Sequence, residues 1–447
     1  MSPKLNELIK NTNAKVGRGR AALGLRKVRE DMKIVDFPRL PTGIFPLDYA
    51  LAGGIPVNTP VQLFGPWQGG KTTLFILLAK SLSKMCMNPR CLRPVALCKC
   101  GPARRHMKAA LIQTEGMPPE PEWFETLDYD IENNLAVFIP DYGEMACEMI
   151  EAALKSDDCG LVGVDSLAGI IPKAELEGTY ADWQVALQSR LVAKMFRRVS
   201  TILVNEWRRG HMVSLVYLNQ IRAVIGGVTS RVPLENTPGG YAAKHGYRLS
   251  VRVSQLSGDA KSGEVDSKES VKNVLKFSAS MMGQQAKQQL FVLGGRAEYK
   301  IVARPFKGFP TGVPLDLNDV VTYGKTTGVL ETSHLYKGYK LRGTNIIIPD
   351  NKAMADVFKT GNLPTANGVI SDMDEGLRWL IVRAARQKAL ARLAQLSGRA
   401  PLVATPPEQP PPEQPDPSEV EELLESEDPE TEEDTEPTEQ QEESEEL

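Results

Sequence analysis

Gly65-Pro66-Trp67-Gln68-Gly69-Gly70-Lys71-Thr72-Thr73 is the stretch that decides how this chain folds. It fits G-x-x-x-x-G-K followed by Ser or Thr. An apolar, strand-like run at 61–64 precedes it and an apolar, helix-like run at 74–82 follows it. Strand, glycine-rich turn and helix in that order make a cradle for a nucleoside triphosphate. Backbone N–H groups of the turn face phosphate oxygens at the positive end of the helix. Lys71 reaches the β and γ oxygens, and the Thr72 hydroxyl ligates Mg2+.

Outward from this loop, strand and helix patterns alternate from about Pro38 onward. Apolar strand candidates lie at 61–64, 109–112, 136–139, 160–164 and 213–218, with helix candidates at 72–84, 142–154 and 183–208 between them. Such alternation predicts an α/β fold: a P-loop core whose mostly parallel sheet is covered on both faces and carries its site at the carboxyl ends of the strands. The expected organisation is an arm at 1–37 that docks on a neighbouring subunit and a core at 38–310 with a Cys-rich insertion at 85–107. A smaller mixed region follows at 311–400, containing a long helix candidate at 372–396, and then a tail at 401–447. That tail is rich in Pro, Glu, Thr and Ser, has no aromatic residue, and is predicted to be disordered because it cannot bury enough apolar surface.

The formal net charge of −3 over 447 residues hides an asymmetry. Residues 401–447 hold 19 Asp and Glu and no Lys or Arg, which leaves a charge of +16 on residues 1–400. A basic body with an acidic tail is expected to bind a polyanion, the tail competing for the same surface or recruiting a basic protein partner. A solubilising tail on an ordinary enzyme would have the same composition. No apolar run approaches the roughly 20 residues of a membrane span, and residues 1–30 lack the apolar centre of a signal peptide, so the expectation is a soluble intracellular protein with no membrane partner.

Triphosphate hydrolysis also needs a second magnesium ligand, a group that activates water and a sensor of the γ-phosphate. Each has a candidate at the end of an apolar run. Leu161-Val162-Gly163-Val164-Asp165 ends in a carboxylate that suits Mg2+, Glu115 follows Ala109-Ala110-Leu111-Ile112-Gln113-Thr114 and suits polarising the attacking water, and Gln220 follows Val213 to Asn219 with an amide that can reach a γ-phosphate. Four of the six cysteines, Cys86, Cys91, Cys98 and Cys100, fall in one short stretch. They could supply four thiolates to Zn2+, with His106 in reserve, but the spacing lacks paired C-x-x-C knuckles and leaves free thiols equally open.

These residues together resemble the RecA family of ATP-dependent DNA recombinases, phage relatives included, from about Leu40 to Gly343. Thr42-Gly43-Ile44-Phe45-Pro46-Leu47-Asp48 followed by Gly53-Gly54-Ile55-Pro56 is similar to the family's segment before the phosphate loop. Val164-Asp165-Ser166 followed by Pro172-Lys173-Ala174-Glu175-Leu176-Glu177-Gly178 resembles its magnesium strand and first DNA-binding loop. Asn219-Gln220-Ile221-Arg222 resembles the start of the second such loop, which would end at Gly239-Gly240. The resemblance implies ATP and Mg2+ as ligands, Lys71, Glu115 and Gln220 as catalytic, and Arg190, Arg197, Arg222, Arg231, Gly239 and Gly240 at the DNA. Lys300 and Arg304 are the candidates for basic residues supplied to a neighbouring subunit's ATP. The second loop, 223–238, departs from the family in having no aromatic residue, so wedging between bases would fall to Ile225, Val228 or Val232.

The function implied is a DNA-dependent ATPase that forms a homo-oligomeric helical filament on single-stranded DNA. It would promote pairing and strand exchange with double-stranded DNA in recombination and repair. The implied location is the cytoplasm, a host cell's if the chain is phage-encoded. A RecA-like hexameric helicase, or a non-catalytic mediator using ATP as a conformational ligand, fits the same motifs.

Overall fold

Eight strands align in one sheet, in the order β8-β7-β6-β1-β5-β4-β2-β3. They are β1 (Pro60–Gly65), β2 (Lys108–Gln113), β3 (Leu135–Phe138), β4 (Cys159–Asp165), β5 (Ser214–Gln220), β6 (Leu249–Gln255), β7 (Val274–Met281) and β8 (Arg296–Val302). The computed structural model describes residues 38–396 apart from 90, 118, 180–186, 224–234, 240–242, 244, 257–273, 282–292, 306, 333–337, 345 and 366–367. The expected arm at 1–37 and tail at 401–447 therefore lie outside the described residues.

From β6 across to β3 every neighbouring pair is parallel, while β7 and β8 are added antiparallel at one edge. The five apolar runs read from the sequence correspond to β1 to β5. The three strands not read there have a different pattern. In β8, exposed Arg296, Glu298 and Lys300 alternate with buried Ala297, Tyr299 and Ile301, as expected of an edge strand covered on one face.

Side chains along the central strands go alternately to the two faces. Leu161, Val216 and Leu218 join one core with the helix α2 (Lys71–Ser83), whereas Val162, Val164, Leu215 and Tyr217 join a second with α3 (Gly143–Lys155) and α4 (Leu187–Arg208). On α4 the buried residues Val192, Met195, Phe196, Val199, Ile202 and Leu203 recur at helical spacing and supply its apolar stripe. The sheet is thus sandwiched between helices as the alternation predicts. The start of the expected helix at 183–208 falls partly outside the described residues.

A third core lies in the C-terminal part, among α5 (Leu317–Thr327), α6 (Asn351–Thr360), α7 (Met373–Leu396) and a small antiparallel sheet of Leu330–Thr332, Tyr339–Leu341 and Ile347–Ile348. The helix α1 (Phe45–Ala50) contributes Phe45 to it. Beside Phe45 the buried Arg378 guanidinium donates to both oxygens of Asp316 (3.0 and 2.9 Å) and to Asp374 (2.8 Å). Asp316 in turn accepts the Phe45 backbone N–H at 3.0 Å. A buried guanidinium is tolerable because its fork is filled by carboxylates. Among the described residues no helix is long and apolar enough to cross a membrane.

Two constraints give measurable consequences. Asp48 on α1 is buried and accepts the Thr42 N–H at 2.6 Å; burial pushes its carboxyl up to about 8. The folded protein therefore holds a proton that the unfolded chain gives up near pH ~4. Stability from this site is fully present below that pH and is lost as the pH rises through about 8. Asp48→Asn keeps an acceptor for Thr42 but cannot ionise, so its thermal stability should decline less than wild type between pH ~5 and ~9; an unchanged slope would refute this. At the end of β1, a Cβ on Gly65 would overlap the Val253 carbonyl oxygen of β6. Gly65→Ala should cost about 2–3 kcal/mol in urea unfolding, since backbone on both sides must shift.

Candidate active site

Parallel pairing brings the carboxyl ends of β1, β5, β4 and β2 to one edge of the sheet, with Gly65 opposite Gln220 and Gln113 opposite Asp165. After Gly65 the chain makes a tight turn closed by the Gly69 N–H on the Pro66 carbonyl (3.1 Å) and enters α2 through Gly70 at φ +89°. A Cβ at Gly69 would lie 2.9 Å from the Pro66 oxygen, and one at Gly70 would overlap the Phe277 ring of β7. Both glycines are thus required by space, and Gly70 also by its backbone conformation. No side chain caps the start of α2 and its first turn has no acidic residue, so the leading N–H groups face the cradle free of a built-in anion. Pro66, Trp67 and Gln68 form the exposed crest of the turn, with Trp67 78% exposed.

Lys71 and Thr72 open the helix, followed by half-buried Thr73. The Lys71 ammonium donates to the carbonyls of Gly65 (3.2 Å) and Pro66 (2.8 Å). Burial lowers its pKa, while the nearby Asp165 and Glu115 carboxylates pull it back up. The Thr72 hydroxyl donates to Asp165 at 3.3 Å. Burial, helped by the charge of Glu115, pushes the Asp165 carboxyl up to about 6. One hydroxyl and one carboxylate side by side form a hard, oxygen-only donor set of the kind Mg2+ takes.

Glu115 is held from several directions. The Thr114 and Glu115 N–H groups donate to the Asp165 carbonyl at 2.8 and 3.3 Å, turning the chain over the end of β4. The Glu115 carbonyl accepts from Gln113 at 2.7 Å. One carboxylate oxygen accepts from the Ser166 hydroxyl, and the other accepts from the Gln220 amide at 2.7 Å. The sequence reading named Glu115, Asp165 and Gln220 separately; the structure joins them. It missed Ser166, Gln113 and Thr114, whose hydroxyl donates to the Ser166 carbonyl. The available signal was that all three are polar residues within two positions of the named carboxylates.

Beyond Gln220 the chain enters a two-stranded ladder, Arg222–Ala223 against Glu235–Asn236, that closes the base of the second loop. Asn219 donates to the Pro238 carbonyl at 3.2 Å, and Gly239, at φ +104°, packs so closely on Leu167 that a Cβ would overlap it. Leu167 lies in the turn Leu167–Gly169 directly after Asp165 and Ser166, so both ends of the loop rest on the site. The Arg222 side chain, Arg231, Gly240, Ile225, Val228 and Val232 lie outside the described residues. The first loop contains a short helix, Lys173–Glu177. Nearby, Arg190, Lys194 and Arg197 line one exposed stripe of α4.

Lys300 lies on edge strand β8, opposite Lys276 of β7, and Arg304 just beyond; both Lys300 and Arg304 are exposed. Two strands, β7 and β6, separate β8 from β1, so neither is brought to this chain's own phosphate loop. The four sulfurs of Cys86, Cys91, Cys98 and Cys100 come within 4.8 Å of one another, while exposed His106 is not among them.

The RecA N-terminal domain family matches residues 95–295, a stretch that contains Glu115, Asp165 and Gln220 and starts inside the Cys-rich insertion. The RecA protein of Thermus thermophilus is 33% identical over 231 residues, 50% of this chain and 59% of that protein. That of Gloeothece citriformis is 34% identical over 235 residues, 52% and 58% of the two chains. That of Helicobacter hepaticus is 27% identical over 344 residues, 73% and 84%. In the first two, this chain spans less than three fifths of the relative's length. The family match spans β2 to β7 and the strand-end residues Glu115, Asp165 and Gln220, and over that stretch the chain is similar to the RecA family.

Proposed function

We propose that this chain is a DNA-dependent ATPase that assembles into a helical filament on single-stranded DNA and promotes pairing and strand exchange with duplex DNA, in the cytoplasm. The observation that carries this reading is the Glu115 carboxylate, shared between Ser166 at the end of β4 and Gln220 at the root of the second loop. A single side chain thereby touches both the hydrolytic edge and the segment that would face DNA.

In this reading residues 66–70 wrap the phosphates of ATP with backbone N–H groups, and Lys71 leaves the Gly65 and Pro66 carbonyls for the phosphate oxygens. Thr72 and Asp165 hold Mg2+, which when bound neutralises charge on the phosphates. Glu115 orients the attacking water and takes its proton. Gln220 exchanges its bond to Glu115 for one to the γ-phosphate, and the ladder at Arg222–Ala223 carries that displacement into the loop. Arg190 and Arg197, with Arg222, Arg231, Gly239 and Gly240, bind the DNA backbone, so affinity falls with salt. Lys300 and Arg304 complete a neighbour's ATP site, and residues 1–37 dock on that neighbour. The acidic tail competes with DNA for the basic body or recruits a basic protein.

The test is ATP turnover by the full chain with and without single-stranded DNA, together with electron microscopy on DNA with a slowly hydrolysed ATP analogue. DNA-stimulated turnover and helical filaments are expected; turnover indifferent to DNA, or closed rings, would sink the reading. Glu115→Gln should lower kcat by about 10²–10⁴-fold while leaving ATP affinity nearly unchanged, measured by single turnover and equilibrium binding. Gln220→Ala should bind ATP normally yet lose the tightening of DNA binding that ATP causes in wild type. If ATP still tightens DNA binding in that variant, Gln220 is not the coupling residue.

A further inference from the structure

Between α2 and β2 the insertion folds back on itself through backbone bonds, with Met85 and Met87 buried in the same core as α2. Met85–Cys86 pairs antiparallel with Arg93–Pro94. The Asn88 carbonyl accepts the Cys91 N–H at 2.8 Å, and its side chain reaches the Ala103 carbonyl at 2.9 Å. The Met87 N–H donates to the Arg105 carbonyl at 2.9 Å, tying the two halves together. This frame brings four unbridged thiols within 4.8 Å, with Cys86 buried and the others half-buried.

The sulfurs of Cys91 and Cys98 are 3.7 Å apart. That is far beyond the ~2.05 Å of a disulfide and close to the ~3.8 Å edge of a tetrahedron built on zinc–sulfur bonds of about 2.3 Å. The Cys100 N–H donates to the Cys98 sulfur at 3.4 Å. Such a donor stabilises a thiolate rather than a thiol. Arg93, Lys99 and Arg105 add positive charge around a group that would be doubly negative as a zinc tetrathiolate.

The insertion also bears on the C-terminal part of the chain. The Val95 N–H donates to the Lys84 carbonyl (2.8 Å), just past the end of α2, and Lys84 pairs with Asp372 at 3.1 Å at the start of α7. Ala96 and Leu97 press against Gly376 of α7, where a Cβ would lie 3.6 and 3.5 Å from them.

We propose that Cys86, Cys91, Cys98 and Cys100 bind one structural zinc ion, and that this ion clamps the far end of α2, the helix that begins at Lys71, onto α7. Each thiol gives its proton to solvent as its sulfur lone pair binds the metal, with no change of oxidation state. Four protein ligands close the coordination sphere, so the site braces the fold and leaves no position for substrate. The inference is independent of the reading of the active site.

The test begins with the full chain purified under reducing conditions and its metal content measured by atomic emission. One zinc per chain is expected, kept in Cys147→Ser and Cys159→Ser and lost in Cys91→Ser and Cys98→Ser. Cys98→His should retain it, which separates loss of a ligand from loss of folding. Cobalt(II) added to stripped wild type should give the strong visible bands of a tetrahedral thiolate site. Hydrogen exchange after zinc removal should rise across both 84–107 and 373–385 while β1, β4 and β5 stay protected. Substoichiometric zinc even after refolding with the metal, iron in its place, or disulfides among the four cysteines by mass spectrometry would overturn the site. Zinc removal that leaves exchange at 373–385 unchanged would overturn the clamp.

Discussion

Parallel backbone pairing is the constraint on which the rest of this molecule depends. Five consecutive parallel ladders, from β6 to β3, send six strands in one direction and so bring their carboxyl ends to one edge. Each of Glu115, Asp165, Ser166 and Gln220 stands at, or within two positions of, such an end. Its placement follows from register rather than from the ordering of a long loop, which would cost conformational entropy. The glycines tighten that arrangement. Gly65 lets β1 meet Val253 of β6, and Gly163 leaves room on β4 for the Phe75 ring of α2, seating the phosphate-loop helix on the neighbouring strand.

On that edge two carboxyl groups face different surroundings. Asp165 is half-buried beside another acid and is pushed up to about 6, with a hydroxyl donor from Thr72. Glu115 receives donors from two strand ends that are not its own. Both donors are neutral, and between them they fix the Glu115 carboxylate in place. Separating two nearby acids by environment is how a site obtains different roles from one functional group.

Much of this was legible because the relevant signals are local. A fixed spacing marks the phosphate loop after β1, and an unbroken apolar run ending in a polar residue marks each of β4 and β5. The antiparallel edge was not legible because β6, β7 and β8 alternate apolar with charged or polar residues and lack the continuous runs of strands buried on both faces. Ser166 was passed over because a hydroxyl after a carboxylate has no pattern of its own; only the fold reveals that it reaches Glu115. The cysteine spacing left metal and free thiols equally open. What sequence lacks there is the fold-back of Met85–Cys86 onto Arg93–Pro94 and the tie from Met87 to Arg105 that place the sulfurs together.

The C-terminal core adds a timing constraint. The Phe45 N–H is satisfied by Asp316, 271 residues later, and Asp316 is in turn neutralised by Arg378. Contacts of such separation close slowly and late. During synthesis from the N-terminus, β1 to β5 and all the strand-end residues of the site have been made before residue 250. Phe45 and its backbone donor must wait for another stretch of chain. The order of emergence therefore builds the phosphate-binding edge first and secures the segment ahead of it last, leaving Phe45 exposed to chaperones or proteases throughout that interval.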